Sequence, residues 1–197
     1  MLSTRFRRPR RRRGMTIVES ALVLSVFLLL LFGMFEYCRF LLVLHVSNNA
    51  AREGARYAVV NLDKPSDFDY NDYVDANGTR YTNIQDYTKA RLSGVKNTLE
   101  TPAAYTSQGP SAIVACYAVD PSGLAQTPPL VQPKKKAAVV PDPFIKNDPN
   151  RVPWNSAVFT EKIAVTVYGV YRPVLPTFLF MPQTIDVKVT ALMGSEG

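Results

Sequence analysis

The sequence predicts an α+β fold: a long N-terminal helix, half membrane-spanning and half amphipathic extension, packed on a small antiparallel sheet. Three observations carry this. From Ile17 to Phe35 the only ionisable residue is Glu19, and apolar character persists to Val46, which supplies the roughly 20 apolar residues a spanning helix needs. Beyond it, Ala51, Ala55 and Ala58 recur at helical spacing and make a smooth face against which a sheet can approach closely. Three later segments, 111–119, 157–172 and 184–192, read as strands: the first is a short apolar run closed by Asp120-Pro121, and the other two carry a two-residue period.

The apolar helix is preceded by Arg5, Arg7, Arg8, Arg10, Arg11, Arg12 and Arg13, with no acid among residues 1–14. Those seven arginines account for the net charge of +7, since the remainder balances at 16 basic and 16 acidic residues. The high isoelectric point is therefore a property of the leader. A nucleic-acid reading of the arginines needs a basic tail free to reach DNA, whereas this one abuts a bilayer, so no nucleic-acid partner is expected. The positive-inside rule makes the arginines a cytoplasmic flank and places the chain beyond the helix outside the cytoplasm. An ordinary secretory signal fits poorly, because the apolar run is too long and lacks a small-residue cleavage site. The expected organisation is a basic leader over 1–14, a transmembrane helix over 15–46 and an extracytoplasmic α+β domain over 47–197.

A carboxylate at the edge of a spanning segment is costly and calls for a partner or a function. Glu19 has two readings. Thr16 followed three residues later by Glu19 fits a capping box at a helix start. Gly14 followed five residues later by Glu19, ahead of a membrane-grade helix, resembles instead the processing site of type IV prepilins and pseudopilins. That resemblance implies cleavage by a prepilin peptidase after Gly14, leaving Met15 first and the acid fifth. It also implies that Glu19 pairs with the new amino group during assembly.

Glu36 and Arg39 sit three apart, can pair, and read as the exit from the membrane. His45, the single histidine, reads as an interfacial or packed residue and not as a ligand. Cys38 and Cys116 both read as buried small hydrophobes. The segment Asn49-Ala50-Ala51-Arg52-Glu53-Gly54-Ala55-Arg56-Tyr57-Ala58 is, from its residues alone, an amphipathic continuation with Arg52, Glu53 and Arg56 away from the alanine face. It is also similar to the signature that follows the membrane helix in TadE-like proteins, minor pseudopilins of tight-adherence (Flp) pilus systems. The likeness is close over about residues 14–60. It implies a pilin-like architecture, a place in the bacterial inner membrane, and partners among the prepilin peptidase, other pilin subunits and the assembly machinery.

From Asn61 the chain turns polar. Asp67-x-Asp69-x-Asn71 begins like a calcium loop, but Asp72 stands where glycine is needed and Gly78 where the bidentate acid belongs. A solvated loop is the reading, with Asn77-Gly78 as a turn. Residues 85–99 suggest a short amphipathic helix presenting Tyr87, Ala90, Leu92, Val95 and Leu99, ended by Pro102. Residues 121–153 carry eight of the fifteen prolines and the run Lys134-Lys135-Lys136, which marks a surface excursion outside the core, its lysines solvated. The apolar stretch 177–181, bracketed by prolines, is expected to pack inward. In the last strand Ile185, Val187, Val189 and Ala191 face in, with Asp186, Lys188 and Thr190 outward.

No second histidine, nucleophile elbow or glycine-rich phosphate loop is present, so no enzyme, metal or cofactor is expected. Two function classes remain: a structural subunit that primes or caps a secreted filament, and a single-pass membrane protein whose outer domain binds a partner without any filament.

Overall fold

In a computed structural model of the chain, the described residues are 13–174 and 182–194, with side chains from Thr16 onward. The leader up to residue 12 and the apolar stretch 177–181 lie outside the described residues.

One helix, α1, runs unbroken from Arg13 to Val60, 48 residues, about 70 Å at 1.5 Å per residue. It contains no proline, and its mean hydropathy reaches 2.4 in the most apolar stretch. The rest of the chain packs on its C-terminal half. The expected α+β arrangement is what the structure shows, with the alanine face buried: Ala50, Ala51, Ala55 and Ala58 are all fully enclosed.

After α1 come a two-residue ribbon, β1 (Tyr73–Val74) with β2 (Arg80–Tyr81), and helix α2 (Ile84–Arg91). The ribbon turns at Asn77-Gly78 as expected, with Gly78 in the left-handed region at φ 81°. Helix α2 is shorter than the 85–99 span suggested by periodicity. Asn83 caps it by accepting from the Asp86 amide, and Gly94 at φ 92° turns the chain soon after Arg91. Its buried side chains are Ile84 and Thr88, whereas Ala90 is exposed. Leu92, Val95 and Leu99 are buried as expected, but from turns and from a strand.

The main sheet has β5 (Lys162–Tyr171) at its centre. On one side β6 (Ile185–Gly194) pairs with it antiparallel along its full length, from Lys162↔Gly194 to Tyr171↔Ile185. On the other side β4 (Ile113–Ala118) covers Ile163–Tyr168, and β3 (Leu99–Glu100) continues the edge at Leu99↔Tyr171. The three expected strands are present. The two-residue strands were not legible, since two residues carry no period.

Both faces of this sheet are covered, so β4 is buried on every residue. Helices α1 and α2 take one face, where Val187 and Val189 are buried and Ile185 and Ala191 partly so, as the alternation of β6 predicts. The other face is covered by the proline-rich excursion, which corrects its reading as a purely surface element. Phe144 is buried there with Ile113, Ala115 and Tyr117, and Tyr105, Leu124, Val131 and Tyr168 pack around them. Prolines allowed this: the stretch needs no regular backbone ladder to lay an aromatic ring on a sheet. Lys134 is likewise not simply solvated, since it pairs with Glu161, while Lys135 and Lys136 are exposed. One smaller expectation changes, since Cys38 is exposed on α1, while Cys116 is buried as expected and unpaired. His45 is exposed, which leaves the interfacial one of its two readings.

Candidate functional site

The candidate stretches lie along α1. At its start the backbone of Gly14 and Met15 is helical. Thr16 is already inside the helix, its fourth residue from Arg13, and its carbonyl accepts from the Ser20 hydroxyl at 2.8 Å. An N-cap residue must have a non-helical backbone. The capping-box reading of Thr16 and Glu19 therefore fails. Glu19 is exposed and, among the described residues, has no ion-pair partner. Around it Thr16, Ser20, Val23, Leu24 and Phe27 form an open, mostly apolar concavity.

Farther along, the folded domain that follows α1 reaches back to the helix at Glu36. Its side chain is buried at 6% exposure. The carboxylate accepts from the Tyr171 hydroxyl and from the Val174 amide at 3.4 Å, and pairs with Arg39 at 3.6 Å. The Arg39 guanidinium lies 5.3 Å from the centre of the Tyr171 ring, and Phe40 packs on the same ring. Burial, and then the bond to Glu36, pushes the Tyr171 phenol up to about 12. Glu36 and Arg39 do pair as their spacing suggests. Their main partner, Tyr171, is 135 residues from Glu36 in the chain and had no sequence signal.

The segment 49–58 is the seam between helix and sheet. Asn49, Arg52 and Arg56 are exposed and Glu53 is half-buried, pairing with Arg56 at 3.1 Å on the face expected for it. Ala50, Ala51, Ala55 and Ala58 lie at the seam. Gly54 marks its tightest point: a β-carbon there would sit 2.2 Å from Thr88 Oγ1 of α2 and 3.1 Å from Val165 Cγ1 of β5. Tyr57 closes the seam by stacking on Tyr87, with centroids 4.0 Å apart and planes 9° apart, and by donating to the Thr82 carbonyl at 2.9 Å. The small residues of this stretch follow from the close approach of helix and sheet.

A second buried polar cluster lies in the loop read as solvated. Asp69 is fully buried and pairs with Arg151, which also donates to the Cys116 carbonyl at 2.7 Å. The pair ties the acidic loop to the excursion and to β4. Burial raises the Asp69 carboxyl to about 6 against the opposing pull of Arg151. A raised carboxyl binds its proton more tightly in the folded chain than in the unfolded one, whose ordinary value is near 3.8. Its stabilising contribution is thus complete below about 4 and lost as pH rises through about 6. In thermal melts of the full chain in detergent, the wild-type melting temperature should fall between pH 4 and 6 relative to that of Asp69→Asn. Parallel profiles for the two chains in that window would contradict the assignment.

Among the described residues no cluster of three or more His, Cys, Asp or Glu is placed to hold a metal ion. The family model described as TadE-like protein matches residues 14–56. Over that stretch the chain is similar to TadE-like proteins. The match begins at Gly14, takes in Glu19 and Glu36, and ends within the seam at Arg56. No curated protein and no solved structure matches the chain. The matched segment is thus one continuous piece of α1, with an exposed apolar half and a half partly buried by the domain that follows it.

Proposed function

We propose that this chain is a minor pseudopilin of a tight-adherence (Flp) pilus or a related secretion machine, a structural subunit and not an enzyme. Its helix α1 spans the bacterial inner membrane with the arginine-rich leader in the cytoplasm and the outer domain on the far side. A prepilin peptidase cuts after Gly14. The observation that carries the reading is that a single TadE-like segment joins the Gly14–Glu19 spacing to the helix–sheet seam on one uninterrupted helix.

The chemistry is a charge pair. Cleavage creates an ammonium on Met15 in an apolar setting, and an unpaired ammonium is expensive to bury. Glu19 lies about one turn along the helix, exposed and with no partner in its own described chain, beside an apolar concavity that another helix can fill. Pairing Glu19 with its own or a neighbour's Met15 amine makes each charge tolerable and sets the axial register between adjacent helices.

The test is the mature N-terminal sequence together with pilus formation in the native host. Gly14→Arg should leave a full-length, membrane-inserted chain. Glu19→Gln should still be cut after Gly14 yet fail to support pili. Normal cleavage with normal assembly of Glu19→Gln removes the charge pair. An uncut wild-type chain with a functional outer domain favours the other class, a single-pass protein that binds its partner outside any filament.

A further inference from the structure

The length of exposed apolar helix, together with the point where the outer domain grips it, fixes how high that domain stands above a bilayer. Large apolar side chains are exposed along α1 from Ile17 to Phe35, and the next residue, Glu36, is already buried. From Met15 to Phe35 is about 20 residues of helix, roughly 30 Å, the thickness of the hydrocarbon layer. No bare stalk separates the apolar stretch from the domain. The Val174 amide and the Tyr171 hydroxyl both reach Glu36, so the end of β5 lies level with the helix exit.

What the domain presents at that level suits a lipid interface. Val174 is apolar and 64% exposed, and Arg172 beside it is exposed. On the helix, Tyr37 is 61% exposed, and Arg39 lies against Tyr171. Tyrosines gather at the headgroup level, and long basic side chains keep their stems on apolar surface with the charge in the polar layer. Both guanidiniums are paired, Arg39 with Glu36 and Arg172 with Glu100. The fit is therefore to a phospholipid headgroup layer as such, without a call for anionic lipid.

We propose that the 171–174 end of the outer domain is seated on the phospholipid surface, with Val174 among the headgroups. The proposal rests on the reading that α1 spans the membrane. Strand β5 runs antiparallel to α1, since Tyr171 meets Glu36 while Val165 meets Gly54. The exposed Val158 and Phe159, just before β5, then stand about 30 Å farther out.

The experiment uses the full chain in phosphatidylcholine nanodiscs, with Cys38→Ser so that only an introduced thiol is accessible. An environment-sensitive fluorophore is attached at Val26→Cys, Val174→Cys, Arg172→Cys or Phe159→Cys, and nitroxide lipids serve as quenchers. The Val26 probe should be quenched by acyl-chain nitroxide. The Val174 and Arg172 probes should lose most of their emission to headgroup nitroxide, and the Phe159 probe should keep its emission. If both Val174 and Arg172 probes behave like the Phe159 probe while Val26 is quenched, the helix spans and the seated domain is wrong. An unquenched Val26 probe overturns the spanning reading, and the proposal with it.

Discussion

Asp69→Ala is expected to destabilise the outer domain by about 3–5 kcal/mol, the cost of leaving one member of a buried ion pair alone. Arg151 is 9% exposed and cannot shed its charge, so removing the acid strands a guanidinium in the interior. The converse change should cost less. With Arg151→Met the stranded group is Asp69, whose carboxyl is already raised to about 6 and can take up a proton. Combining Asp69→Ala with Arg151→Met should recover much of the loss, because an apolar pair leaves no buried charge. Denaturant unfolding of the full chain in detergent micelles, as a double-mutant cycle, reads all three. Additive losses would mean that the two side chains do not act as a pair.

Gly54→Val is expected to cost at or beyond the upper end of the roughly 1–3 kcal/mol typical of overpacking. The first added atom already falls 2.2 Å from Thr88 Oγ1, and Val165 closes the other side at 3.1 Å. The helix cannot back away cheaply, because Ala51, Ala55 and Ala58 hold it against the sheet on the same seam. Gly54→Ala should lose less, since alanine is a better helix former by about 1 kcal/mol. Adding Thr88→Ala should restore stability in the Gly54→Ala background, because it removes the atom that the new methyl group meets. The same denaturant series checks this. A Gly54→Ala chain as stable as wild type, with no gain from Thr88→Ala, would show that the seam is loose.

These two sites divide sharply in how far they were legible. Gly54 lies in a stretch whose small residues recur at helical spacing, and that spacing fixed which face of α1 would be covered. The strands over 162–171 and 185–194 were legible from a two-residue period, and 113–118 as a short apolar run closed by Asp120-Pro121. Alternation of that kind is a local property, set by the two-residue pleat. Gly14 and Glu19 stood out because a carboxylate and a basic run are conspicuous beside an apolar helix.

What the residues by themselves determined was therefore local: a membrane-grade helix, its alanine face, three strands, and the spacing at its start. Tertiary structure alone decided the partners of the buried charges and the role of the proline-rich stretch. Asp69 meets Arg151 across 82 residues, and Glu36 meets Tyr171 across 135. An aspartate in a polar loop reads the same whether it faces water or a guanidinium, and Phe144 among prolines reads the same whether it is exposed or laid on a sheet. The physical reason is that loop closure costs entropy that grows only slowly with length. Where a long connection returns is thus settled by the surface it covers, not by any pattern in the connection itself.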